Sequence, residues 1–200
     1  MYSQQNNTVR RSYAPWLLVA VWLASAACSF WYFTLRNQRT FESSVDSVRA
    51  ETWYRQHFSP QDRDVQHTVA TVVHLYRADC ACNRFTEPHL AQIIARYQRD
   101  GVRFVAVVRQ GNSSESAAAP VAGLRQTSVS ANELDWVDAT PAALVYDSAG
   151  KLIYFGPYSD AAWCGTSAGL VERALDRTLR GQSPEPRGVP GGGCYCGWKA

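Results

Sequence analysis

The sequence has little net charge and no concentrated basic segment. Its 200 residues hold 20 Lys plus Arg against 17 Asp plus Glu, a net charge of +3, and only two of the basic residues are Lys. A protein that tracks a phosphate backbone needs clustered basic side chains. The composition therefore argues against nucleic acid as a partner, and the length suits one domain of ordinary size with some additional segments.

Charged side chains are absent from residues 14–35. This run, APWLLVAVWLASAACSFWYFTL, has 22 residues, enough at about 1.5 Å per residue to cross roughly 30 Å of hydrocarbon. Arg10 and Arg11 precede it, which favours a cytoplasmic N-terminus (residues 1–13) and export of the remaining chain. We predict a single-pass anchor in the inner (cytoplasmic) membrane, with the C-terminal domain in the periplasm or another extracytoplasmic space.

Two other interpretations of this segment compete with an uncleaved anchor. LASAAC, ending at Cys28, faintly resembles a lipoprotein cleavage box, and a cleaved signal peptide is the second alternative. The apolar run continues past Cys28 through SFWYFTL, and the apolar core of a signal is usually shorter. The extension favours an uncleaved transmembrane helix.

The spacing Cys-x-x-Cys is also absent. The six cysteines include two Cys-x-Cys pairs instead, Cys80-Ala-Cys82 and Cys194-Tyr-Cys196. The first pair could be a redox pair, half of a metal site or a structural staple. Staples gain most from closing long loops, so a bond between Cys80 and Cys82 would contribute little as a staple.

Hydrophobic periodicity divides the chain into elements. After the predicted transmembrane helix we expect a helical stalk over 36–64, a buried strand over 68–76, a helix over 80–99 and a strand over 102–108. The last three form a β-α-β unit.

The second half is less regular. Residues 110–139 are predicted as a long connection, and a hairpin follows in PAALVYD and LIYFGPY. The last helix is expected over 162–180. The final segment, residues 183–200, is rich in Pro and Gly and is predicted as a linker that carries Cys194 and Cys196.

This order of elements, with cysteines at the start of the first helix, resembles the thioredoxin superfamily. VHLYRADC matches the family's strand leading into its nucleophilic cysteine, which falls on Cys80. Pro88 stands at the position of the family's helix proline, and Thr140-Pro141 stands where a cis proline opens the hairpin. The resemblance covers residues 65–182 and implies an α/β thioredoxin-like fold, a central mixed sheet flanked by helices.

The resemblance also implies roles for individual residues. Cys80 would attack a substrate disulfide, Cys82 would resolve the mixed disulfide, and Thr140 with Pro141 would shape the docking edge for an extended substrate. His74 occupies a strand position that often holds a buried carboxylate in the family, so it is a candidate proton shuttle for Cys82. The alternative is a structural histidine satisfied by a backbone carbonyl.

The remaining exported cysteines are Cys164, Cys194 and Cys196. A linker of about 13 residues spans roughly 20 Å as a flexible coil, so the tail cysteines can reach Cys80. That reach permits a relay of disulfides through the tail, with Cys164 as an auxiliary thiol. It equally permits a Cu or Zn site whose ligands are four thiolates, those of Cys80, Cys82, Cys194 and Cys196.

The leading prediction is thus a membrane-anchored thiol-disulfide oxidoreductase, an oxidant or isomerase, that acts on exported protein thiols or a redox partner protein and needs no cofactor. A Cu- or Zn-binding or delivery protein on the same fold is the alternative. A non-catalytic interaction module is the third.

Overall fold

The computed structural model describes residues 13–41, 45–58, 68–109, 121, 124–130, 132–159, 169–182 and 191–198. The chain divides into two compact units, residues 1–36 and 37–200. The first unit holds nearly all of helix α1 (Ala14–Asn37), in which residues 14–32 are exposed. By length and composition this helix could cross a membrane, although a signal sequence passes the same test.

The second unit contains the remaining helices and strands. Their bounds are β1 (Gln38–Phe41), α2 (Ser47–His57), β2 (Ala70–Tyr76), α3 (Asn83–Tyr97), β3 (Val102–Arg109), β4 (Arg125–Val129), β5 (Ala139–Thr140), β6 (Ala142–Asp147), β7 (Leu152–Gly156), α4 (Leu170–Leu179), β8 (Gly191–Cys194) and β9 (Cys196–Gly197).

Five of these strands form the main sheet, in the order β4-β3-β2-β6-β7. The strands β2, β3 and β4 run parallel, whereas β6 is antiparallel to both β2 and β7. The β2-α3-β3 unit thus supplies the parallel half, and the β6-β7 hairpin followed by α4 supplies the other. This mixed sheet flanked by helices is the thioredoxin-like fold that the sequence predicts.

Alternate residues of the central strand enter two different cores. Val73 and Leu75 of β2 belong to the core that contains α2, whereas Ala70 and Val72 belong to the core that contains α3 and α4. Side chains alternate across a strand, so a strand covered on both faces is apolar throughout. All seven residues of β2 are buried, as expected for this position.

The first of these cores includes residues from both ends of the second unit. Phe41 of β1 lies 5.3 Å from the Phe155 ring, and Tyr195 lies 5.6 Å from Phe41. Tyr54 of α2 stacks on Tyr146 at 4.1 Å. The part of the predicted stalk that forms α2 therefore packs on the sheet.

The elements differ from the predictions in four places. Residues 38–41 of the predicted helical stalk form strand β1. Helix α3 begins at Asn83, three residues later than predicted. Strand β4 and the first residue of β5 lie within the predicted connection. Residues 191–197, predicted as linker, form β8 and β9, which pair with β1 and β5. Strand β8 is rich in glycine and β9 has only two residues, so neither has an apolar periodicity that predicts a strand. Their pairing with distant strands identifies them.

Candidate active site

A short turn carries the first Cys-x-Cys pair. This cysteine turn, residues 77–82, joins β2 to α3 at the end of the central strand. The backbone N–H of Cys80 donates to the Arg77 carbonyl, and the Asn83 side chain donates to that same carbonyl at 2.6 Å. The N–H of Asn83 donates to the Cys80 carbonyl at 3.2 Å. These bonds hold both cysteines close to the first turn of α3, with Cys82 as its N-cap residue.

Two disulfides join this turn to the tail. Cys80 bonds to Cys196 and Cys82 bonds to Cys194, with Cα–Cα distances of 5.9 and 5.6 Å. The two Cys-x-Cys pairs are thus linked to each other, and neither is closed on itself. The side chains of Cys80 and Cys82 are 5% and 1% exposed, whereas both tail cysteines are only partly buried.

The tail is also held by backbone hydrogen bonds. In the C-terminal segment, residues 191–198, strand β9 pairs antiparallel with β5, with Cys196 opposite Thr140 and Gly197 opposite Ala139. The N–H of Trp198 donates to the Asp138 carbonyl at 2.9 Å. The segment therefore continues as an added strand along the edge that leads to Pro141.

Thr140 and Pro141 lie directly beside the cysteines. Their peptide bond is cis, as the resemblance implies for this position. Cys80 Sγ lies 3.8 Å from the Thr140 carbonyl oxygen, and Thr140 is fully buried. The structure thus brings together Cys80, Cys82, Cys194, Cys196 and the cis-proline step, which lie far apart in the sequence.

Arg77 contributes a contact that sequence reasoning did not assign. Its guanidinium pairs with the Asp79 carboxylate, with 2.9 Å between Nε and Oδ1, and NH1 donates to the Gly197 carbonyl at 2.6 Å. The hydrogen bond from Arg77 holds the pKa of Asp79 below its usual value. Arg77 therefore binds the tail backbone, and its charge is shared with Asp79.

His74 is buried in β2. Its Nδ1 lies 2.8 Å from the Tyr158 hydroxyl, and Nε2 has no hydrogen-bond partner among the described residues. Burial lowers the pKa of His74 to about 3, and burial also raises the pKa of Tyr158. His74 is consequently neutral near pH 7 and a weak base. Tyr158, its partner, carries no signal in the sequence that links it to His74.

Of the two remaining cysteines, the structure describes Cys28 but not Cys164. Cys28 is a free, exposed thiol on α1. Cys164 lies outside the described residues, so its predicted auxiliary role stays a prediction.

Soft-metal ligands are also close together at this site. The sulfur atoms of Cys80, Cys82 and Cys196 all lie within 4.8 Å of one another. Thiolates bind Zn²⁺ or Cu⁺, but disulfide sulfurs carry no thiolate charge. The residues therefore fit such an ion once both disulfides are reduced.

Residues 50–198 match the family described as a domain of unknown function, DUF6436. The match covers most of the chain, so the protein belongs to this family. It extends beyond the predicted domain on both sides and includes most of α2 and the C-terminal segment. No curated protein matches the chain.

Solved structures with a similar fold share little sequence with this chain. An uncharacterized conserved protein from Geobacillus kaustophilus is 21% identical with a TM-score of 0.56, covering 70% of this chain and 81% of its own. A hypothetical protein from Sinorhizobium meliloti is 18% identical with a TM-score of 0.53, and the match covers 68% of this chain and 82% of that protein. The thioredoxin domain of a Bacteroides vulgatus thiol-disulfide oxidoreductase is 14% identical with a TM-score of 0.39, and the match covers 47% of this chain and 73% of that domain. The first two likenesses concern the fold alone.

Proposed function

We propose that this protein is a thiol-disulfide oxidoreductase, anchored in the inner membrane by α1, whose domain acts on exported protein thiols. The observation that carries the proposal is the pair of disulfides between the cysteine turn and the C-terminal segment, beside the cis Thr140-Pro141 step. Both bonds connect a buried cysteine of the turn to a partly buried cysteine of the tail. An arrangement of this kind suits stepwise exchange better than a sealed core staple.

The exchange reaction in the proposal takes place at Cys80, beside Thr140 and Pro141. A substrate thiolate attacks Cys80 Sγ, a bond forms between the two sulfurs, and the Cys80–Cys196 bond breaks with Cys196 leaving as thiolate. A second substrate thiolate then attacks the first substrate sulfur and releases Cys80 as thiolate. The substrate dithiol is oxidised to a disulfide, and the Cys80–Cys196 bond is reduced to two thiols.

In the reverse direction, the Cys80 thiolate attacks a substrate disulfide. The sequence assigns the resolving step to Cys82, but the bonded partner of Cys80 is Cys196. We therefore assign resolution to Cys196, with Cys82 and Cys194 as a second exchanging pair. The turn before α3 favours thiolates because unpaired N–H groups of a first helical turn attract negative charge.

We keep His74 in the proposal as the candidate proton shuttle for Cys82. Its Nε2 is unpartnered among the described residues, but its lowered pKa makes the imidazole a weak base near pH 7. Replacing His74 by Leu should alter the pH profile of exchange if it takes a proton from a thiol. An unchanged profile would remove His74 from the reaction.

The test is a titration of the full chain, in detergent, in glutathione buffers of defined redox ratio. Reduction should release four thiols beyond those of Cys28 and Cys164, reversibly, and mass spectrometry of the oxidised chain should find the Cys80–Cys196 and Cys82–Cys194 peptides. Cys80→Ser should slow exchange with a model dithiol strongly and Cys80→Ser with Cys82→Ser should abolish it, whereas Cys28→Ser should leave it unchanged. Retention of full exchange by Cys80→Ser would overturn the proposal.

Binding of a soft metal is the second candidate, favoured by the three sulfur atoms that lie within 4.8 Å. Cys80, Cys82 and Cys196 would hold Zn²⁺ or Cu⁺ as thiolates in the reduced protein, with Cys194 available as a fourth ligand. Metal analysis accompanies the thiol count. Four metal-bound thiols in stoichiometric ratio in the purified chain, with no disulfide, would favour this candidate over exchange.

A further inference from the structure

The C-terminal segment lies on the domain as a short peptide would lie on a receptor strand. Its strand β9 adds to β5 through antiparallel pairing of Cys196 with Thr140 and of Gly197 with Ala139. Backbone pairing of this kind accepts any extended segment, because the bonds involve no side chain. The selectivity must therefore come from the side chains that flank the pairing.

One of these flanking side chains is fully buried. Trp198 is 0% exposed and packs in the core that holds Leu134 and Val137. Its indole Nε1 has no hydrogen-bond partner among the described residues, so the surrounding pocket recognises it by apolar contact. A large buried aromatic side chain at the end of a docked segment is the usual form of a binding hot spot.

The cysteine of the segment has a fixed register relative to this aromatic. Cys196 precedes Trp198 by two residues and lies opposite Thr140, whose carbonyl oxygen is 3.8 Å from Cys80 Sγ. Arg77 NH1 donates to the carbonyl of Gly197, the residue between them. The contacts thus recognise three consecutive features of the segment, which are a cysteine, the backbone carbonyl of the next residue and an aromatic residue after it.

We propose that residues 194–198 occupy the substrate-docking edge as an internal substrate, and that the external substrate is an extended segment with cysteine followed two residues later by a large aromatic residue. This inference rests on the proposed function and names the substrate class for the same site. The Cys80–Cys196 disulfide is then equivalent to the mixed disulfide with a substrate. Reduction of the two cross-links leaves the tail held by non-covalent contacts alone, and an external segment competes with it.

The test uses the full chain in which Cys80 is the single cysteine, the other five being replaced by Ser. The probe is the peptide of residues 191–198 with Cys194→Ser, its remaining cysteine carried as a mixed disulfide with glutathione. The Cys80 thiolate attacks the peptide sulfur, a Cys80–peptide disulfide forms, and glutathione leaves as thiolate. Mass spectrometry measures the rate, and glutathione disulfide serves as the probe without a peptide.

The substitution Trp198→Ala is then made once in the peptide and once in the protein. Trp198→Ala in the peptide should slow formation of the Cys80–peptide bond about tenfold or more, because the aromatic anchor is lost. Trp198→Ala in the protein's own tail should instead speed the reaction of the unaltered peptide, because the internal competitor is weakened. A purely structural Trp198 would slow the reaction in the protein and have no effect in the peptide.

Equal rates for the two peptides, with Cys80 still reacting with glutathione disulfide, would overturn the docking inference and leave the proposed function standing. No reaction of Cys80 with either peptide or with glutathione disulfide would instead overturn the proposed function. If the Trp198→Ala chain does not fold, Trp198→Phe replaces it in the protein. The comparison of the two peptides needs neither variant and decides the inference alone.

Discussion

The cysteine turn and the C-terminal segment have the same Cys-x-Cys spacing, yet different interactions hold them in place. The turn is continuous with a fully buried strand and a long helix, and its own backbone bonds define its shape. The segment has three glycines before its cysteines, and its strands β8 and β9 lie outside the main sheet. Its position depends on two disulfides, two short strand pairings and the aromatic side chains of Tyr195 and Trp198.

The cysteine turn is therefore part of the scaffold of the domain, and the C-terminal segment is docked on that scaffold. The turn would keep its conformation without the segment, because its bonds are local. The segment would lose its conformation without the turn and β5. A redox-active pair in which one partner is rigid and the other removable can open and close without unfolding the domain.

The largest expected effect concerns the two cross-links. They join positions 116 and 112 residues apart, so the first to form closes a loop worth about 5 kcal/mol, and the second then closes a ring of few residues worth about 2 kcal/mol. Removing one pair, Cys80→Ser with Cys196→Ser or Cys82→Ser with Cys194→Ser, should cost about 2 kcal/mol, and removing both about 7 kcal/mol.

The free energy of unfolding of the full chain in urea, without reductant, measures these costs. Cys28→Ser is the control, since Cys28 lies on α1 outside the second unit. If the cost of removing both pairs equals the sum of the two single removals, the cross-links act independently and the nested-loop account is wrong.

Next in size is the aromatic anchor of the C-terminal segment. Trp198→Ala removes a fully buried indole and should cost about 3 to 5 kcal/mol in the free energy of unfolding. Trp136→Ala is the matched control because Trp136 belongs to the same core but is only partly buried. A cost for Trp198→Ala no greater than that for Trp136→Ala would mean that the segment is held by its disulfides alone.

A third effect belongs to the strand that leads into the turn. The pKa of His74 is lowered from 6.5 to about 3 by burial, so in this range the unfolded chain binds a proton that the folded chain does not. Stability therefore falls as pH decreases below 6.5, by about 1.4 kcal/mol per pH unit from this group.

His74→Gln should remove that contribution and flatten the dependence between pH 6.5 and 5, a window above the range in which Asp79 and Glu133 titrate, since the pKa of each is lowered. Unfolding in urea at each pH measures the slope, and pH 8 serves as the reference at which the imidazole is neutral in both states. The same slope in His74→Gln and the unaltered chain would show that His74 is more solvated than the structure places it.

The smallest effect compares two neighbouring glycines of β8. A Cβ on Gly191 would lie 2.7 Å from Cγ of Pro157, whereas a Cβ on Gly192 would meet no atom within 4 Å. Gly191→Ala should cost about 1 to 2 kcal/mol through overpacking, and Gly192→Ala should change stability by less than about 0.5 kcal/mol. Urea unfolding and the rate of disulfide reduction by glutathione both report the difference, and equal values for the two variants would place β8 further from Pro157.

Much of the fold could be predicted because its signals are local. The apolar run of β2, the hairpin of β6 and β7 and the proline at position 88 inside α3 each follow from neighbouring residues. Strands β4 and β5 were missed because β4 is mostly polar and β5 has only two residues, and they depend on pairing with β3 and β9. The predicted start of α3 was early because the cysteine turn has helix-compatible residues but forms its own bonds.

The sequence by itself determined the order of the elements from β2 to β3 and from β6 to α4, the position of Cys80 at the end of the central strand, the proline step beside it and the apolar helix that precedes the domain. It also placed a second Cys-x-Cys within reach. Only the tertiary structure decided that Cys80 pairs with Cys196 and Cys82 with Cys194, that Trp198 is buried and that Arg77 binds the tail backbone. Those outcomes depend on contacts between residues far apart in the sequence, and no periodicity within GGGCYCGW encodes them.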